Sequence, residues 1–234
     1  MVRKKYFTKQ SRSNIKLVIE THSGAFLMTT NLQNLRDDID YMKVLAREGR
    51  HAPLVGGSIL ALAGGVWGTA SLVMYGLIKG VIPGGQTTAN ITWGIAMVVF
   101  IGGLILSKSK LRATPGASAV NNRANSAVWA GCGFGIFALC CAIGVVSWRL
   151  HTAVPMWLIS PAILVTYGIA WTVASAMSEV KWLKLMGPAS FVGAIILALM
   201  SGLPEMFLAN AAALLMLAGL PGLILLRNQP SEVV

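Results

Sequence analysis

Charged side chains are what this sequence has least of. Lys, Arg, Asp and Glu make up 12% of its 234 residues, about half the roughly 25% of a soluble globular domain. Six stretches contain none of them: 54–78, 89–106, 127–148, 156–177, 186–203 and 206–226. With 55% apolar residues overall, that segregation excludes an ordinary water-soluble domain. Acids are rarer still, eight against nineteen Lys and Arg. Since none falls in an apolar stretch, a proton-coupled pump or a carrier of charged solutes, which needs ionisable groups at membrane depth, is disfavoured. Glu179 and Glu205 lie in turns between stretches and read as solvated loop charges.

Cysteine and histidine are equally sparse. Cys132, Cys140 and Cys141 share one apolar run, and cysteines on one membrane helix cannot bridge without distorting it. They read as small packing groups. His51 and His151 fall at opposite ends of spans and His22 near the N-terminus, so two imidazoles cannot meet at one depth to hold a haem. No phosphate-binding loop, zinc-protease helix or paired-carboxylate spacing occurs. The serine in "PGASA" has no histidine near it in sequence, and "GCGFG" lies inside a span. No catalytic residue, metal ligand or cofactor site is expected, and the reading leans away from an enzyme.

What is present is length. A membrane helix needs about 20 predominantly apolar residues, and the six stretches reach or approach that, the second and fifth being shortest. The expected fold is therefore all-α, an integral membrane protein with a six-helix transmembrane bundle over 53–226. A short cytosolic amphipathic helix over 30–52 precedes it, and a cytosolic tail over 227–234 follows. With the N-terminus in the cytoplasm, ten Lys and Arg lie in the N-terminal segment, four in the 107–126 loop, two in the 178–185 turn and one in the tail. Only Lys79 and Arg149 fall on the other side. The positive-inside rule then puts both termini in the cytoplasm. Trp93, Trp148 and Trp157 at outer ends, and Trp129 and Trp182 at inner ends, form the aromatic belts expected at headgroup level. The +11 net charge is thus explained by topology, and no nucleic acid is expected as partner.

Residues 1–29 form a basic leader expected to be disordered. They hold no continuous apolar core of the kind a secretory signal needs, and Met28 offers an alternative start. From Thr30 the pattern changes. Thr30 with Gln33 has capping-box spacing, and Leu32, Leu35, Ile39, Met42 and Leu45 recur at three- and four-residue intervals. Asp37, Asp38 and Asp40 precede Lys43, Arg47 and Arg50, the order the helix dipole favours. The stripe, centred on Leu35, Ile39 and Met42, suits packing on the membrane surface or on this chain's own loops. It also suits a partner or self-association seam.

Inside the spans, Gly57, Ala61 and Gly65 recur every fourth position, as do Gly64 with Gly68 and Gly131 with Gly135. Small residues so spaced let helix backbones approach closely, within one bundle or in a dimer. Pro161 and Pro221 are expected to kink or loosen the fourth and sixth spans. Ser160, Tyr167 and Trp171 share one face of the fourth span and mark a candidate internal cavity, or ordinary interhelical hydrogen bonding.

One segment carries a resemblance. In "LRDDIDYMKVLAREGRHAPLVGG", the residues Asp37, Asp38, Tyr41, Met42, Leu45, Glu48, Gly49, Arg50, Pro53, Leu54, Gly56 and Gly57 resemble a pattern in uncharacterised proteobacterial polytopic inner-membrane proteins. In that group a short cytosolic helix leads through a proline into the first span. The resemblance covers about twenty residues plus general hydropathy. It implies a multi-pass protein of a bacterial inner (plasma) membrane and no particular activity. Together these readings favour a non-enzymatic membrane scaffold or regulatory, partner-binding protein, in contact with the lipid bilayer and with a protein partner or second copy through the 30–50 helix. The alternative is a small transporter or channel subunit for a neutral or apolar solute.

Overall fold

A computed structural model describes residues 35–43, 56–111 and 120–228. The described residues are helices joined by short turns, with no strand among them. The chain divides into two units, Met1–Glu48 and Gly49–Val234. In the first, α1 covers 35–43. Thr30, Gln33 and Leu45, together with the basic leader, lie outside the described residues.

The second unit holds α2 (Gly57–Ile78), α3 (Gln86–Leu111), α4 (Val120–Leu150), α5 (Ile159–Met177), α6 (Leu183–Leu199), α7 (Glu205–Leu214) and α8 (Leu220–Arg227). A 3₁₀ turn, Val154–Leu158, leads into α5, and a π-helical turn, Leu215–Gly219, joins α7 to α8. Five helices among the described residues are long and apolar enough to cross a membrane, with α7, the π turn and α8 counting as one. The shorter apolar α6 has 17 residues, about 26 Å of helix against a hydrocarbon core of about 30 Å.

Each of the six apolar stretches holds a helix among its described residues, but helix ends do not follow the ends of apolarity. α3 runs from Gln86 to Leu111 and α4 starts at Val120, each several residues beyond the apolar run. Polar residues such as Asn121, Asn122 and Asn125 thereby join the helix. Nothing stops these helices at the hydrocarbon boundary, since an α-helix satisfies its own backbone groups at any depth.

Two packing arrangements hold the bundle together. The first pairs α2 with the α7–α8 rod, backbone against backbone. A Cβ on Gly64 would overlap the Gly219 amide, and one on Gly57 would sit 2.5 Å from Gly222 O. Gly222 in turn faces the Ala61 amide, and Gly68 faces the Leu215 side chain. The stripe in use is therefore Gly57, Ala61, Gly64 and Gly68, whereas Gly65 has open space where a Cβ would go. Close approach substitutes for hydrophobic driving force, which lipid does not supply between helices.

The second arrangement pairs α5 with α6, where Gly168 lies under the Phe191 ring and Gly187 against Thr172. Both meet in a core built on Leu60, Tyr167, Trp171, Leu183, Leu214 and Leu225, with a second cluster of Leu164, Ala194, Leu197, Met206 and Leu217 beside it. α3 packs on α2 and α4 packs on α5, and both present most of their apolar surface outward. Gly131 and Gly135 on α4 have nothing within 4 Å of an added Cβ. Cys132, Cys140 and Cys141 are free thiols.

Candidate functional site

Proline chemistry explains the one break in the α7–α8 rod. In a regular α-helix the residue 221 amide would donate to the carbonyl of residue 217, but Pro221 has no N–H and its ring crowds that carbonyl. The rod widens into the π turn Leu215–Gly219 immediately before it. The Leu217 carbonyl beside this turn is reached from another helix: Trp171 Nε1 of α5 donates to Leu217 O at 2.9 Å, fully buried. Trp171, 1% exposed, is held by Trp129 of α4, edge-on at 5.0 Å between ring centroids. Tyr167 meets the same Trp129 ring edge-on at 5.6 Å.

Tyr167 and Trp171, two of the three residues expected to flank a cavity, are thus core residues packed on Trp129. Ser160, half-buried, lies near the start of α5. Pro161 sits in the first turn of α5, where a proline removes no intrahelical bond.

A second polar link joins α2 to α7. Asn210 Nδ2 donates to Ser71 Oγ at 2.9 Å, and Ser71 Oγ donates to Trp67 O one turn earlier. Asn210 is 6% exposed and Ser71 fully buried. Buried amides in apolar surroundings are costly without partners, so this pair fixes the rotation of α7 against α2. Trp67 itself stacks on Trp93 and packs against Phe100 of α3. Where α2 ends and α7 begins, Lys79 Nζ donates to Glu205 Oε1, so the two loop charges are partners. That hydrogen bond raises the Lys79 ammonium above its ordinary value.

The remaining feature is a shallow, open surface depression beside the end of α4. It is lined by Gln86, Gly144, Ser147, Trp148, His151, Thr152, Ala153 and Met156. Its floor is the C-terminal cap of α4. The His151 amide donates to Trp148 O at 3.3 Å and the Thr152 amide to Ser147 O at 3.1 Å, the paired bonds of a Schellman cap. Such a cap needs a left-handed residue at its turn, normally glycine. Here that residue is His151, at φ 50°, which costs a residue with a Cβ about 1–2 kcal/mol. Ser147 Oγ braces the turn by donating to Thr152 O, and the Val154 amide donates to Thr152 Oγ1 at 3.3 Å. The cap therefore presents an imidazole to the depression at a conformational cost.

On α1 the apolar stripe is exposed: Leu35 by 59%, Ile39 by 42% and Met42 by 61%. Lys43 pairs with Asp40 one turn earlier. Among the described residues no group of three or more His, Cys, Asp or Glu could hold a metal ion.

Sequence reasoning missed the Ser71–Asn210 link, the Lys79–Glu205 pair and the depression. The available signals were a lone amide inside the last apolar run, two opposite charges in loops of one face, and a histidine where a helix terminator should be glycine. Compared with known proteins, the chain matches no family model, no curated protein and no solved structure.

Proposed function

We propose that this chain is a multi-pass membrane scaffold or regulatory protein that works by binding a partner through α1, without catalysis. In this reading α6 crosses with the other five helices, giving six spans with both termini cytoplasmic, in a bacterial inner membrane. The basic-residue count and the tryptophan belts support that orientation.

The observation that carries the partner-binding reading is the exposed stripe Leu35, Ile39 and Met42. An isolated helix this short is marginal in water, so a charge-ordered helix with an uncovered apolar stripe gains its stability from whatever it docks on. The transporter alternative draws less support. α2 meets α7–α8 backbone to backbone, and Tyr167 and Trp171, on which that reading rested, are packed on Trp129.

Hydrogen exchange over residues 31–50 in native membranes tests the reading. Protected amides in the unmodified protein, lost when Leu35 and Ile39 are both changed to Asp, are the expected outcome. Fast exchange in the unmodified protein would show that α1 docks nowhere and would move the transporter reading ahead.

A further inference from the structure

We propose that α4 and α5 are joined near the start of α4 through an ordered water, held by Asn125 and Ser178. Each of these side chains has a buried polar atom, Asn125 Oδ1 and Ser178 Oγ, without a hydrogen-bond partner among the described residues. Asn125 as a whole is only 6% exposed. Buried polar atoms left in this condition are rare in folded chains, because each gives up its hydration for nothing.

The two atoms belong to one seam. A single stripe of α4 faces α5 along its length. Asn121 Nδ2 donates to Met177 O at 3.1 Å, Trp129 meets Tyr167 and Trp171 edge-on, and Cys132 Sγ donates to Thr166 O at 3.6 Å. Asn125 lies one turn from both Asn121 and Trp129, and so on the same face. Contacts with α5 therefore bracket it on either side. Ser178 follows Met177 directly and ends α5 in an extended conformation. Asn125 stands about 6 Å along α4 from Asn121, and a single water spans about 5.5 Å between two polar atoms.

The chemistry selects water. Asn125 Oδ1 can only accept, whereas Ser178 Oγ both donates and accepts. A water donates to the first and pairs with the second in either sense. It keeps a further bond for the last carbonyls of α5, which receive no intrahelical amide, and buried waters make about three bonds. An alkali cation also takes neutral oxygen ligands. The charges nearest in sequence, however, are Arg123, Glu179 and Lys181, a set of net positive sign that opposes one. The seam is dry further along, where Trp129 packs on α5. α4, little buried elsewhere, is thus attached by aromatic packing in its middle and by a hydrated joint near its start.

A crystal structure of the full chain grown in a lipidic mesophase, at a resolution where single waters show, tests the site. A density peak within about 2.7–3.2 Å of both Asn125 and Ser178 is expected. Thermal unfolding in a neutral maltoside gives a second readout. Ser178→Ala and Asn125→Ala are each expected to lower the unfolding temperature by about 2–4 °C. The double variant is expected to lose less than the sum, since both residues act through one water. These shifts are expected to be equal in sodium, potassium and choline chloride. Where a variant does not fold, the density decides alone. Absence of the peak while other buried waters are seen, or additive shifts, would overturn the joint. Shifts that appear only in sodium or potassium chloride would overturn water as the occupant and leave a cation.

Discussion

Replacing Trp171 by Phe should destabilise the bundle, and the size of the loss should depend on a proline two helices away in sequence. Trp171 donates to Leu217 O, the carbonyl that a residue 221 amide would serve in a regular α-helix. Phe keeps an aromatic ring against Trp129 but removes the N–H. A buried carbonyl left unsatisfied costs about 1–3 kcal/mol in soluble proteins. Interhelical hydrogen bonds in membranes average about 0.6 and reach about 1.7 kcal/mol. With some lost ring packing added, the expected loss for Trp171→Phe is about 1–2 kcal/mol.

Pro221→Ala restores an amide that can donate to Leu217 O, so in that background Trp171→Phe should lose only the packing contribution. The coupling between the two positions should therefore be about 1 kcal/mol. Reversible unfolding in mixed detergent micelles, run on the wild type, both single variants and the double variant, gives the cycle. Equal costs of Trp171→Phe with and without Pro221 would refute the idea that the indole substitutes for the missing amide.

Two further expectations concern helix packing. Gly64→Ala places a methyl group on the Gly219 backbone and should cost about 1–3 kcal/mol, whereas Gly65→Ala, with open space around it, should stay within about 0.5 kcal/mol; unfolding of both variants in the same micelles checks the register. Ser71→Ala removes the partner of Asn210 Nδ2 and should cost about 1 kcal/mol, with Asn210→Ala adding little in that background.

The spans were legible because hydrocarbon solvent demands long uncharged runs, and an uncharged helix of 22 residues such as Gly57–Ile78 has the length a bilayer core requires. Which glycines touch was not legible. Gly57, Ala61 and Gly65 share a four-residue repeat, yet the surface in use turns from Ala61 to Gly64, because helix rotation is set by the partner rod. Trp67 and Trp171 lie well inside the first and fourth apolar stretches, away from the ends where the other tryptophans fall. Their roles became visible only when Trp93 and Phe100, or Leu217, came alongside. Ser71 and Asn210 are separated by 139 positions, and no local pattern links a mid-span serine to an amide so distant. Lys79 and Glu205 looked like separate loop charges for the same reason. The stripe Leu35, Ile39 and Met42 was legible as spacing, since periodicity is a property of one helix.

Reporter fusions in the cell membrane test the central claim, six crossings by one helical bundle with both ends on the cytoplasmic side, most directly. Reporters placed after Gln86, after Arg123 and after Asn228 should read outside, inside and inside. An outside reading after Asn228 would mean that 17-residue α6 does not cross, and an outside reading after Arg123 would contradict the whole topology.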